Sequence, residues 1–220
     1  MALASLDAPK VRGVATAFAA GMMLGASLFL IPEGLTHDRF TTLFGVLLGI
    51  AAVYVVEALL EKPQTPKEER GQRRGLLLFL VMFFHSIPEG TAIGVGFATD
   101  DLSFGLTTAI AIAIHNIPEG IAISLPLRLS GASFARCFAI SVASSLPQPI
   151  VALPALYFTS RFLPLLPWGL GFAAGAMLYV ALHELLPEAR AEAGTRSAFG
   201  YLGLGLIAMT LSTAVLERLF

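Results

Sequence analysis

At 220 residues, 56% of them hydrophobic and only 13% charged, the chain is too poor in charge for a soluble domain, in which about 25% of residues are charged. A net charge of -1 with no basic domain excludes a nucleic-acid-binding module. The single cysteine, Cys137, excludes an intrachain disulfide and belongs to no zinc-finger spacing, so it reads as a small buried thiol.

A mean hydropathy of +0.78 makes the bilayer the solvent for most of the sequence. Apolar windows of roughly 20 residues predict helices over 13–35, 40–60, 75–98, 103–127, 133–157, 166–186 and 198–220. The class is all-α: a polytopic membrane helix bundle of about seven spans, forming one transmembrane domain over residues 1–220. The segment before the first span, Met1 to Arg12, is short and mixed, and that span ends in Pro32-Glu33-Gly34 rather than at a small-residue cleavage site. A cleaved signal peptide is not expected.

The second and third spans are separated by a polar linker, 61–74, that carries five Lys/Arg residues. If this linker is cytoplasmic, Lys10, Arg12, Arg128, Arg136, Arg190 and Arg196 fall on the same side. The inside then holds eleven basic residues, and the outside only Arg39, Arg161 and Arg218. The asymmetry predicts the N-terminus inside and the C-terminus outside.

The third span carries His85-Ser86-Ile87-Pro88-Glu89-Gly90, and the fourth repeats it as His115-Asn116-Ile117-Pro118-Glu119-Gly120. Histidine and glutamate four residues apart share one helix face. Each motif lies midway along its span, where ionisable groups are costly unless paired, wet or bound to a cation. Taken one at a time, such pairs are more often hydrogen-bonded ties within a bundle than metal ligands. Four ionisable groups at one depth, in a repeated motif, favour a divalent transition metal held by two nitrogens and two carboxylates. Each proline frees the carbonyl four residues earlier, and each glycine after the glutamate allows close helix approach.

A second, partial repeat links Phe18-Ala19-Ala20-Gly21 in the first span with Phe172-Ala173-Ala174-Gly175 in the sixth. With seven spans these two run antiparallel, as do the third and fourth. An inverted repeat flanking a central helix pair is common in secondary transporters. Small-residue helix packing explains the same similarity.

The repeated His-x-x-Pro-Glu-Gly on adjacent spans resembles the Zrt/Irt-like (ZIP) family of divalent-metal transporters, prokaryotic type, and the likeness runs from about Val14 to Phe220. By that resemblance the third and fourth spans are the family's fourth and fifth helices, and His85, Glu89, His115 and Glu119 match its primary metal ligands. Ser144-Ser145-Leu146-Pro147-Gln148-Pro149 resembles a family segment that commonly has glutamate where Gln148 stands, and Ser86 stands where asparagine is frequent. Ser86, Asn116 and Gln148 are therefore candidates for a secondary metal position. Gln148, between two prolines, is read equally well as a cap on disrupted backbone. His183-Glu184 resembles a pair on the family's route toward the cytoplasm, and Glu33 would lie near the outer entrance. His37-Asp38 and Asp100-Asp101 are read first as wet loops and second as cation attractors. The family norm is eight helices in a 3+2+3 plan, and the first has no counterpart in this sequence.

The resemblance implies no enzyme and no cofactor. It implies transport of a divalent ion, Zn²⁺ first and Fe²⁺, Mn²⁺, Co²⁺ or Cd²⁺ after it, toward the cytoplasm. The ion is the substrate; the other partners are membrane lipid and a second copy in a homodimer, and the setting is the cell membrane, the inner membrane of a bacterium. An intramembrane metallopeptidase would need His-Glu-x-x-His, but His183-Glu184 is followed by Pro187. A passive metal-gated channel shares the ligand pattern. With two carboxylates at the centre, one bound ion is expected, and Gln148 at most as a weak polar neighbour.

Overall fold

The computed structural model describes residues 8–60, 83, 86–99, 101–129 and 131–220. The linker 61–74, His85 and Asp100 lie outside the described residues.

In lipid the backbone must satisfy its own hydrogen bonds, which leaves helices for an apolar chain of this kind. The described helices are α1 (Ala8–His37), α2 (Arg39–Leu60), α3 (86–96), α4 (Leu102–Leu129), α5 (Phe134–Ser144), α6 (Pro147–Arg161), α7 (Leu165–Val180), α8 (Leu186–Ala193) and α9 (Thr195–Leu219). Among the described residues, six segments are long and apolar enough to cross a membrane: Pro9–His37, Arg39–Ala58, Leu102–Leu125, Phe134–Arg161, Leu165–Ala193 and Thr195–Leu219. The span read over 75–98 is described as helix only from 86. Large apolar side chains point outward as well as inward, as Phe40, Leu47, Ile150, Leu153 and Leu211 do. A helix that is apolar all round suits a lipid surround.

Short polar turns join the helices. Asp38 ends α1 and caps α2, accepting from the Thr41 amide at 2.7 Å and the Thr41 hydroxyl at 2.6 Å. Those two bonds hold its carboxyl below the usual range. Asp101 accepts from the Ser103 amide at 2.9 Å at the start of α4, and Ser133 caps α5. The acidic loop residues that are described are thus N-caps, in keeping with their reading as ordinary loops.

Two expected helices are interrupted, both beside proline. The helix expected over 133–157 breaks at Ser145-Leu146, where tight bonds run from the Ser145 amide to the Val142 carbonyl and from the Leu146 amide to the Ala143 carbonyl. Pro147, lacking an N–H, then opens α6. The helix expected over 166–186 widens into a π turn at Ala181–Leu185 and continues as α8, with Pro187 in its first turn.

Glycines set the helix pairing. Gly21 abuts the Leu202 and Leu206 backbone and Gly205 the Phe18 and Met22 backbone, zipping α1 to α9. Gly171 and Gly175 abut Thr42 and Val46, while Gly45 and Gly49 abut Trp168 and Phe172, zipping α7 to α2. The Phe-Ala-Ala-Gly repeat is therefore helix packing, and the two copies perform the same packing against different partners. The pairs α1/α9 and α7/α2 correspond to one another. α1 and α7 themselves meet in the core through Met22, Met23, Leu170 and Met177. They run antiparallel, because Arg12 near the start of α1 pairs with Glu192 near the end of α8. That contact puts Arg12, Arg190 and Arg196 on one side of the bundle.

Because backbone cannot yield as a side chain can, Gly175→Ala should force the α2/α7 seam apart at a cost of about 1–3 kcal/mol. Gly203→Ala, with open space around its added methyl, should be neutral or stabilising by up to about 1 kcal/mol. Thermal midpoints in detergent check this; equal midpoints for the two variants would show that the seam is not tight.

Candidate metal site

Phe97, just past the end of α3, packs on Gly105 near the start of α4, so α3 lies back along α4. This packing brings the described residues of the two motif copies together. His115 Nε2 donates to Glu89 Oε1 at 2.9 Å, and both side chains are wholly buried. Glu119 lies one turn beyond His115 and is 5% exposed. One ligand atom from each of Glu89, His115 and Glu119 lies within 4.8 Å of the others. Around a tetrahedral zinc such atoms stand about 3.3 Å apart, given bond lengths near 2.0 Å. Small rotations of the side chains would close that gap.

Two carboxylates this close repel each other, and burial removes the water that would screen them. A divalent cation between them relieves both costs. His115 Nδ1 is buried with no hydrogen-bond partner among the described residues, so the ring is not committed to a purely structural network.

Gly90 decides what stands beside Glu89. A Cβ at this position would strike the backbone of Gln148, so only glycine lets the first turn of α6 reach the motif. Gln148 then donates from Nε2 to Glu89 Oε2 at 2.5 Å and accepts at Oε1 from Asn116 Nδ2 at 3.0 Å. The side chain is a direct partner of the Glu89 carboxylate, and its two hydrogen bonds among the described residues go to side chains rather than to backbone. Ser86 Oγ donates to the Ser144 carbonyl at 2.9 Å, tying α3 to the end of α5. A Cβ at Gly120 would meet nothing within 4 Å among the described residues. Of the two motif glycines only Gly90 serves close approach.

Beside Glu119 a cavity of about 260 Å³ opens between α4 and α5, lined among others by Asn116, Gly120, Ile123 and Ser141. It runs toward the Arg128 end of α4. The remaining candidates lie elsewhere. The exposed ring of His183 stacks on Tyr179, centroids 4.6 Å apart. Glu184 is half-buried and feels the charges of Glu57 and Glu188. Glu33 bonds His37 at 3.2 Å at the far end of α1. None of these three belongs to the Glu89/His115/Glu119 group. One polar contact was not foreseen from the sequence: Tyr179 donates to Glu57 at 2.6 Å, joining α7 to α2. The available signal was a lone carboxylate inside an otherwise apolar span.

Comparison with known proteins agrees with this architecture. The ZIP zinc transporter family matches over residues 60–213. The chain is 40% identical to a zinc transporter of Bordetella bronchiseptica (ZIPB) over 218 residues, covering 90% of this chain and 70% of that protein. It is 35% identical to a putative zinc transporter of Arabidopsis thaliana, covering 96% of this chain and 34% of that one. It is 39% identical to the zinc transporter GufA of Myxococcus xanthus, covering 70% of this chain and 63% of that one. The chain thus spans only about a third of the plant relative's length. These relatives are transporters by name and not enzymes. By the match over most of its length, the chain belongs to the ZIP zinc transporter family.

Proposed function

We propose that this chain carries divalent transition-metal ions, zinc foremost, across a membrane through the centre formed by Glu89, His115 and Glu119, with His85 as fourth ligand. The observation that carries this reading is the convergence of those three buried ligand groups within 4.8 Å, inside a bundle whose outer faces are apolar. Two carboxylates neutralise one divalent ion, and neutral imidazoles complete a nitrogen–oxygen set suited to zinc. The zinc transporters to which the chain is similar support zinc as substrate. Fe²⁺, Mn²⁺, Co²⁺ and Cd²⁺ fit the same donor set.

The basic side of the bundle, with the 61–74 linker, faces the cytoplasm in this reading, in a bacterial inner membrane. Lipid covers the apolar outer faces, and a second copy completes a homodimer. The cavity beside Glu119 then opens on the cytoplasmic half, and net movement is inward. His183 and Glu184 lie farther along the inner route, and Glu33 near the outer entrance. A peptidase reading has no support in the geometry, since His183 stacks on Tyr179 away from the central ligands.

Zinc accumulation in proteoliposomes tests the site. Glu89→Ala or Glu119→Ala should nearly abolish uptake at matched reconstitution, because a single carboxylate leaves a buried charge uncompensated. His115→Ala should raise KM and change metal preference with less effect on folding. Uptake should fall as the pH is lowered, since protons compete for the same ligand atoms. Normal uptake by both glutamate variants would rule the site out. Titration of purified protein should find one central zinc per chain, and Gln148→Glu should admit a second by adding an anionic ligand. Two full central equivalents in the unmodified chain would overturn the single-ion reading.

Sidedness has its own test. Single cysteines placed in the 61–74 linker should react with impermeant reagent only from the cytoplasm, and one at position 101 only from outside. The reverse pattern would invert both the orientation and the direction of transport.

A further inference from the structure

Glu89 has two oxygens, and the centre uses them differently. Oε1 accepts from His115. Oε2 accepts from the carboxamide of Gln148, a side chain on another helix and only 8% exposed. A carboxylate can only accept, so Gln148 must present its NH₂ to Glu89. Its carbonyl oxygen is thereby turned the other way and must find a donor. It finds Asn116 Nδ2, which fixes the Asn116 amide in turn. Asn116 Oδ1 is left as a buried acceptor with no partner among the described residues, in a side chain that forms part of the cavity wall. The order Glu89, Gln148, Asn116 has one polarity, and the anionic end sets it.

The backbone makes Gln148 a rigid member of this chain. Pro147 and Pro149 flank it, and each holds its own φ near -65°. The Gln148 amide bonds the Ser145 carbonyl at 3.1 Å, and Gly90 packs against its Cα. The Ser86–Ser144 bond fastens the neighbouring joint to α3. A carboxamide held this way loses little freedom on bonding Glu89, so it can hold one rotamer of the glutamate before a metal arrives.

We propose that Gln148 is the positioning residue of the metal centre: it holds one oxygen of Glu89 so that the other meets the ion with His115, and it turns the carbonyl oxygen of Asn116 free of Glu89. The proposal rests on the Glu89/His115/Glu119 reading and assigns Gln148 no direct bond to the ion in the unmodified protein.

Zinc titration of the purified full chain in detergent, by calorimetry, separates the proposal from that reading. Gln148→Ala and Gln148→Met, the second keeping the side-chain length, should each weaken zinc binding by about tenfold or more, the range found when groups that orient a metal ligand are removed. Both variants remove the Gln148 bond to Glu89 Oε2, so their metal-free thermal midpoints should fall; the rise in midpoint that saturating zinc produces, read within each variant, should shrink along with the affinity. Asn116→Ala should cost less in the Gln148→Ala background than alone, because both act along one chain; a double-mutant cycle reads that coupling. Unchanged affinity in Gln148→Met would overturn the positioning role, as would strict additivity with Asn116→Ala. Glu89→Ala is the control: if it too binds zinc normally, the central site itself fails, whereas loss there with unchanged Gln148→Met removes only this inference.

Discussion

A wholly buried carboxylate, Glu89, inside an apolar bundle is the constraint on which the rest of the arrangement turns. Taking such a charge out of water costs several kcal/mol even after relaxation, so each of its oxygens must be met. Meeting them draws three helices to one point: α3 supplies Glu89, α4 supplies His115, and α6 supplies Gln148. The convergence is possible only because Gly90 has no side chain where the backbone of Gln148 passes. Charge, hydrogen bonding and backbone clearance are one problem here, solved together within a few residues of α3.

Around that point the bundle is held by surfaces with little polar content. In lipid there is no hydrophobic driving force between helices, so association depends on close van der Waals approach. The glycine contacts of α1 with α9 and of α7 with α2 supply it, and they are equivalent copies of one packing solution. The Arg12–Glu192 pair closes one end of the bundle, where water is at hand. Tyr179 and Glu57 bond within the α2/α7 pair. These contacts leave the central ligands to α3, α4 and the α5–α6 joint.

Prolines explain where helices depart from regularity, and the two departures serve different ends. The break before Pro147 places Gln148 in a first helical turn, reaching sideways to Glu89. The π turn before Pro187 contains His183, whose ring stacks on Tyr179 four residues earlier and lies outside the central group. A helix drawn without these breaks would place both residues differently.

The sequence by itself determined the class and most of the spans, and it singled out Glu89 and His115 as candidate ligands. Continuous apolarity over membrane length leaves helices as the solution, and a repeated His-x-x-Pro-Glu-Gly on antiparallel neighbours brings the two motifs to one depth; the pairing of Glu89 with His115 is set by the packing of α3 on α4. Grouping the basic residues by side needed only their order along the spans. The resemblance placed Gln148 only as a weak polar neighbour of the centre; its contact with Glu89 was not legible, because a residue between two prolines in a fifth span carries no local sign of a carboxylate 59 positions away. Nor did the motif distinguish Gly90 from Gly120, which both follow Ile-Pro-Glu. Only tertiary structure decides that one glycine faces an approaching backbone and the other a cavity, since clearance is a property of what packs against a helix and not of the helix itself.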